Sequence, residues 1–183
     1  MRPAILSGEN LSAYRKDLGV STGGIANDWS DLMKILLAVD GSPDSDAAVE
    51  EVARRPWPPQ SEIRLITAFE TPLIVGTEVW SVPPEYFEQL EKAAREAAGA
   101  VIESALQKLK GVKDGILKVS GEVIQGPPGQ AIVEDAERWA ADLIVMGSRG
   151  LGVWNRLLLG SVSSGVVHHA KCSVEIVRSR RST

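Results

Sequence analysis

Residues 141–178 read ADLIVMGSRGLGVWNRLLLGSVSSGVVHHAKCSVEIVR. The stretch opens on an unbroken apolar run, Leu143-Ile144-Val145-Met146, of the length and composition of a strand covered on both faces in a parallel sheet. The run stops at Gly147. Then come Gly147-Ser148-Arg149-Gly150, nine further residues and Gly160-Ser161, after which Val162, Val166, Val167 and Ala170 recur at helical spacing. The pattern predicts a buried strand, a glycine-punctuated loop and a helix beginning near Ser161. Glycines permit positive φ and let main-chain amides approach a ligand with no Cβ between. A helix start adds unpaired N–H groups and a partial positive charge. The amides of Ser161, Val162 and Ser163, the hydroxyls of Ser148, Ser161 and Ser163, and the cation Arg149 thus form a candidate site for a phosphate chain. The competing structural reading is a tight turn at Gly147 and Gly150 and a helix cap at Gly160.

Working outward, residues 33–40 (MKILLAVD) give a first apolar strand, and Ser42-Pro43-Asp44 punctuates a helix start with a serine cap, proline in the first turn and acids behind it. That helix is expected to run to about Arg55, before Pro56-Trp57-Pro58-Pro59. Asp44 and Asp46 already occupy its positive end, which leaves the glycine loop as the better anion site. Residues 62–69 (EIRLITAF) read as the second strand. A long helix follows from Pro83 to Lys110, with its apolar stripe at Phe87, Leu90, Ala94, Ala97, Val101, Ala105 and Leu109. Residues 115–125 give a third strand that turns at Ser120-Gly121, with room for a bulge. Gly126-Pro127-Pro128-Gly129 leads into a helix with Ile132, Ala136 and Trp139 inward, and Ser173 to Val177 form the last strand. The alternation β-α-β-α-β-α-β-α-β predicts an α/β fold, a five-stranded parallel doubly wound sheet in a single domain. Asp40 ends the first strand at the carboxyl edge, where ligands gather in such sheets. It suits ribose hydroxyls or a divalent cation, or plain turn chemistry.

The loop spacing, the strand before it and the closing strand resemble the universal stress protein family in its ATP-binding branch, over roughly Met33 to Arg178. The resemblance implies a Rossmann-like sheet of strand order 3-2-1-4-5, with the first and fourth strand ends facing one crevice. It implies that Gly147, Gly150, Gly160 and Ser161 hold the ribose and phosphates of ATP, with Mg2+ or Mn2+ as a candidate counter-ion. It places the backbone of Ala68 at the adenine edge and Asp40 at the adenosine end. It also implies a homodimer in which Ser173 to Val177 pair with their copy in a second subunit. The function expected is a nucleotide-dependent stress-response or signalling module acting on a further protein partner. The alternatives are a slow ATPase or adenylyl-transfer enzyme, for which Asp40 is the nearest base, and a dimeric interaction protein without nucleotide.

The 183 residues carry a net charge of −4 and no long basic block, which argues against nucleic acid as a partner. No apolar segment reaches membrane-spanning length and residues 1–32 lack a secretory pattern, so the expectation is a cytoplasmic protein with no membrane partner. Residues 1–32 read as a loosely ordered extension with a short helix around Leu11 to Leu18, and 179–183 as a loose basic tail. Residues 71–82 read as a loop packed on the core or a flap. Cys172 is the only cysteine, so an intrachain disulfide and a cysteine metal cluster are excluded. It reads as a small half-buried residue. His168 and His169 lie about 10 Å along the helix from Ser161 at 1.5 Å per residue, too far to serve as a base on the nucleotide. No Gly-x4-Gly-Lys-[Ser/Thr] occurs, and Gly147-x2-Gly150-x-Gly152 reverses the dinucleotide fingerprint.

Overall fold

The computed structural model describes residues 32–70, 83–110, 118–152 and 159–179. The expectations for residues 1–31, for the loop 71–82 and for the far tail lie outside these. Among the described residues five strands and four helices alternate: β1 (Lys34–Ala38), α1 (Pro43–Arg54), β2 (Glu62–Phe69), α2 (Pro84–Lys110), β3 (Lys118–Gln125), α3 (Pro128–Trp139), β4 (Leu143–Gly147), α4 (Ser161–His169) and β5 (Ser173–Val177). The sheet runs β3-β2-β1-β4-β5 with every neighbouring pair parallel. The order 3-2-1-4-5 is therefore as expected.

Side-chain alternation along the central strands builds the core on two faces. Ile35, Leu37, Ile63, Leu65, Leu143 and Val145 point to one side, where Val49 and Val52 of α1 and Ile102, Ala105 and Leu109 of α2 cover them. Leu36, Ala38, Ile66, Ile144 and Met146 point to the other, against Ile132 and Ala136 of α3 and Val166 of α4. Every residue of β4 is buried, which is why its sequence is apolar without alternation. One charge interrupts the second face. Arg64 of β2 reaches Asp135 of α3, whose carboxylate is fully buried, with Nε–Oδ2 at 2.8 Å and Nη2–Oδ1 at 3.0 Å. Two parallel bonds meet the desolvation cost of that carboxylate.

Local chemistry sets the element ends. Ser42 caps α1 by accepting the Ser45 N–H at 3.2 Å, and Arg55 closes the helix. Three expectations shift. The buried line of α2 is Ala98, Ile102, Ala105 and Leu109, so Ala97 falls on the exposed side, one residue from the expected stripe. Val167 of α4 is also exposed, because the short helix buries only Ser163 and Val166. And β3 pairs with β2 in unbroken register from Lys118 to Gln125, with no bulge at Gly121. Gly121 has another cause: a Cβ there would sit 2.4 Å from Cγ2 of Ile102, so the glycine lets α2 lie close on the sheet. Ile102 is β-branched, helical and buried, and has little rotamer freedom to move aside. Gly121→Ala is expected to cost about 2 kcal/mol in urea unfolding, and Ile102→Ala in the same chain to be less costly than in the natural background.

Candidate functional site

The carboxyl ends of β1 and β4 lie side by side, Ala38 opposite Met146, and the connections leaving them run to α1 on one face and α4 on the other. This divergence opens a crevice of about 290 Å³, near the lower end of the ~300–1,000 Å³ typical of small-molecule sites. Its floor is apolar, from Ile66, Ile132, Met146 and Val162, and its rim carries Asp40, Gly150, Gly152, Gly160 and Ser161. Gly160 is the N-cap of α4, and the first intrahelical bond runs from the Ser164 N–H to the Gly160 carbonyl at 2.8 Å. The amides of Ser161, Val162 and Ser163 precede that bond and have no acceptor within the helix. All three residues line the crevice. Helix orientation and amides together give it a positive end.

The glycines serve close approach rather than unusual φ. Among the described residues the glycines of positive φ are Gly41 and Gly126, not the three of the loop. A Cβ on Gly147 would lie 2.7 Å from the backbone of Asp44 and Ser45, so this glycine admits the start of α1 against β4. A Cβ on Gly150 would lie 2.5 Å from Oδ2 of Asp40, so that glycine makes room for the carboxylate. At Gly160 the crowding comes from the Ser148 carbonyl at 3.3 Å. Gly152 alone of the four faces open space.

Asp40 holds its place by accepting the Ser42 N–H on Oδ1 at 3.0 Å, which leaves Oδ2 toward Gly150 and the crevice. On β2 the Ile66 carbonyl accepts the Val39 N–H toward β1, whereas the Phe69 carbonyl accepts the Gly126 N–H on the β3 side. Main-chain groups alternate along a strand, so those of Ala68 point the same way as Ile66, toward β1 but past its last paired residue. Ala68 lines the crevice with that edge.

Three of the side chains expected to hold phosphate are engaged elsewhere. Ser148 is buried and its hydroxyl donates to Oδ2 of Asp44 at 2.6 Å, while its amide donates to the Val177 carbonyl. Arg149 lines the crevice, but its guanidinium sits on Asp44, Nε–Oδ2 at 3.0 Å and Nη2–Oδ1 at 3.3 Å. The Ser163 hydroxyl is likewise spent, 3.0 Å from the carbonyls of both Ser148 and Gly160, so Ser163 brings only its amide. The acceptor for Ser148 and Arg149 is Asp44, which the sequence placed only at the positive end of its own helix. It also accepts the amide and hydroxyl of Ser179, at 3.1 and 2.5 Å, so the tail is anchored at its first residue. Burial alone would raise the Asp44 carboxyl, but bonds from Ser148, Ser179 and Arg149 outweigh it and hold the group well below the usual carboxylate range. Ser42 adds a further tie, its hydroxyl donating to the Arg149 carbonyl at 3.1 Å. His168 and His169 are exposed in the last turn of α4, each with Nδ1 near the carbonyl four residues back. Burial pushes the Cys172 thiol up, and the residue packs half-buried against the cluster that includes Val174.

A model of the universal stress protein family matches residues 32–178, which include every strand and helix described above. The chain belongs to that family. Among its relatives, a universal stress protein of Thermus aquaticus is 34% identical over 145 residues, 79% of this chain and 97% of the other. Universal stress protein Sll1388 of Synechocystis sp. is 38% identical over 94 residues, 51% of this chain and 56% of that one. Of solved structures, hypothetical protein MJ0577 superposes with a TM-score of 0.68 at 29% identity, covering 82% of this chain and 98% of that one. A universal stress protein solved in complex with cAMP gives 0.54 at 25% identity, covering 82% and 100%. Among the described residues no helix is long and apolar enough to cross a membrane, and no three His, Cys, Asp or Glu side chains converge as a metal site.

In this universal stress protein the Asp44 carboxylate is charged in the fold at pH values where the unfolded chain is protonated. Its contribution is complete above about pH 4 and is lost as pH falls through the depressed folded value. Asp44→Asn is expected to lose on the order of 3 kcal/mol at pH 7, with the gap to the natural protein closing only below about pH 4 in urea titrations.

Proposed function

We propose that this universal stress protein binds ATP in the crevice between β1 and β4 and works as a homodimeric, nucleotide-dependent module of a stress response. The observation that carries the reading is the set of three unpaired amides, Ser161, Val162 and Ser163, on one wall of an apolar-floored crevice. Phosphates meet these amides and the helix's positive end, and the hydroxyl of Ser161 lies at the same place. The base lies over Ile66 and Ile132 with its edge toward the main chain of Ala68, and the ribose hydroxyls donate to Oδ2 of Asp40. The cAMP complex of a relative of the same fold supports an adenine nucleotide as the class of ligand.

Among the described lining residues Asp40 is the one carboxylate. That suits Mg2+ or Mn2+ arriving already bound to the phosphates, since Mg2+ is commonly held by one or two carboxylates plus substrate oxygens. It does not suit turnover. Asp40 is tied to Ser42 through Oδ1, and both histidines stand at the far end of α4, so binding rather than hydrolysis is the role. The subunit contact proposed is β5, whose outer edge has no strand beside it among the described residues.

Isothermal titration with ATP and Mg2+ is expected to give saturable heat at one nucleotide per chain. Gly152→Phe fills open space without strain and is expected to abolish that heat with no change in the thermal midpoint; no heat from the natural protein rejects the reading. Sedimentation at micromolar concentration is expected to give a dimer, and a lone monomer boundary counts against the β5 contact.

A further inference from the structure

The sheet has two edges, and they differ in chemistry. β3 exposes Lys118, Ser120, Gly121, Glu122 and Gln125, a charged and polar edge of the kind that discourages strand addition. β5 has a single charge at its centre, Glu175, between Val174 and Ile176. Val174 and Ile176 pack on the α3–α4 face, whereas Val177 packs on the α1 face, the side to which Glu175 also points. Arg55, the C-cap of α1, meets Glu175 with both ends of its fork, Nη1–Oε2 at 2.6 Å and Nη2–Oε1 at 2.5 Å. The guanidinium is also held by Glu51 at 3.1 Å from Nε and by the ring of Trp57, 5.7 Å from Cζ.

Two copies of a five-residue edge related by a two-fold axis pair antiparallel. Full overlap makes the most main-chain bonds. It sets Val174 of each subunit against Ile176 of the other, apolar on apolar, and puts Glu175 directly opposite its own copy. Residues directly opposite have Cβ atoms about 4.5–5.5 Å apart, and like charges there repel. The occupant favoured by this self-complementary pattern is a second copy of the chain, provided the central glutamates are neutralised.

We propose that the Arg55–Glu175 pair is the charge gate of this interface: Arg55 cancels the repulsion between the two central glutamates and so decides whether β5 pairs with itself. This rests on the homodimer proposed above. Free of its arginine, Glu175 is an edge charge that blocks strand addition; with it, the edge is neutral and apolar. The pair acts on association and lies outside the crevice, whose lining includes neither residue.

The test is sedimentation equilibrium on the full chain at neutral pH, for the natural protein, Arg55→Met, Glu175→Gln and the double variant. Arg55→Met is expected to weaken the dimer by about tenfold or more, because it restores the like-charge contact. Added salt is expected to recover part of that loss, since screening acts on exposed like charges. Glu175→Gln and the double variant are expected to dimerise about as well as the natural chain. Arg55→Met dimerising like the natural protein overturns the gate while leaving the dimer standing. A double variant as weak as Arg55→Met does the same, since the loss then comes from the fold around α1. A natural protein that stays monomeric overturns the dimer as well and leaves the β5 edge to a strand of another protein.

Discussion

A single carboxylate, that of Asp44, ties together three parts of the chain that are distant in sequence. It sits buried in the first turn of α1 and takes hydrogen bonds from Ser148 and Arg149 in the loop after β4 and from Ser179 beyond β5. A buried charge left without partners is costly, so the three donors together offset the burial of this carboxylate. The loop is fixed on several sides. Besides Asp44, the Ser42 hydroxyl holds the Arg149 carbonyl, the Gly160 amide holds the Ser148 carbonyl, and the Val177 carbonyl holds the Ser148 amide. The side chains of Ser148, Arg149 and Ser163 thus work inward. Among the described residues, the main chain at the start of α4 and the Ser161 hydroxyl are what remain for a ligand.

This division of labour explains the glycines. Gly147 and Gly150 are small because the protein's own α1 backbone and Asp40 carboxylate come within 3 Å of where a Cβ would lie. The resulting tight frame holds the α4 amides in fixed positions around the crevice, and preorganised donors lose little on binding an anion. The ion pair of Arg64 with Asp135 plays a comparable part on the other side of β1, locking α3 to β2 beneath the apolar floor.

Much of the fold was legible in the sequence because its signals are local. The apolar runs of β1 and β4, the Ser42-Pro43 cap and the glycine spacing each report on residues within a few positions. β2 and β5 match the expected bounds, 62–69 and 173–177. In the site, Asp40, Ala68, Gly150, Gly160 and Ser161 do gather on one crevice. What failed was the assignment of side-chain partners. Ser148 and Arg149 have the residue types of phosphate ligands, but their acceptor lies 104 and 105 positions away in sequence, and spacing carries no trace of it. Asp44 was read only for its effect on its own helix. Gly121 left room for a bulge in the sequence because strand pattern cannot reveal that Ile102 of α2 presses on it. A one-residue error in the phase of α2, at Ala97, came from a long helix whose first half is mostly exposed.

The bond between Asp44 and Ser179 spans 135 positions, from α1 to the segment just beyond β5. Contacts of such separation are entropically late, because the whole intervening chain must already be gathered. During synthesis, which proceeds from the N-terminus, β1 and α1 emerge with Asp44 lacking all its donors, and they wait for more than a hundred residues to follow. The frame around Asp44 therefore closes only when both ends of the fold are together.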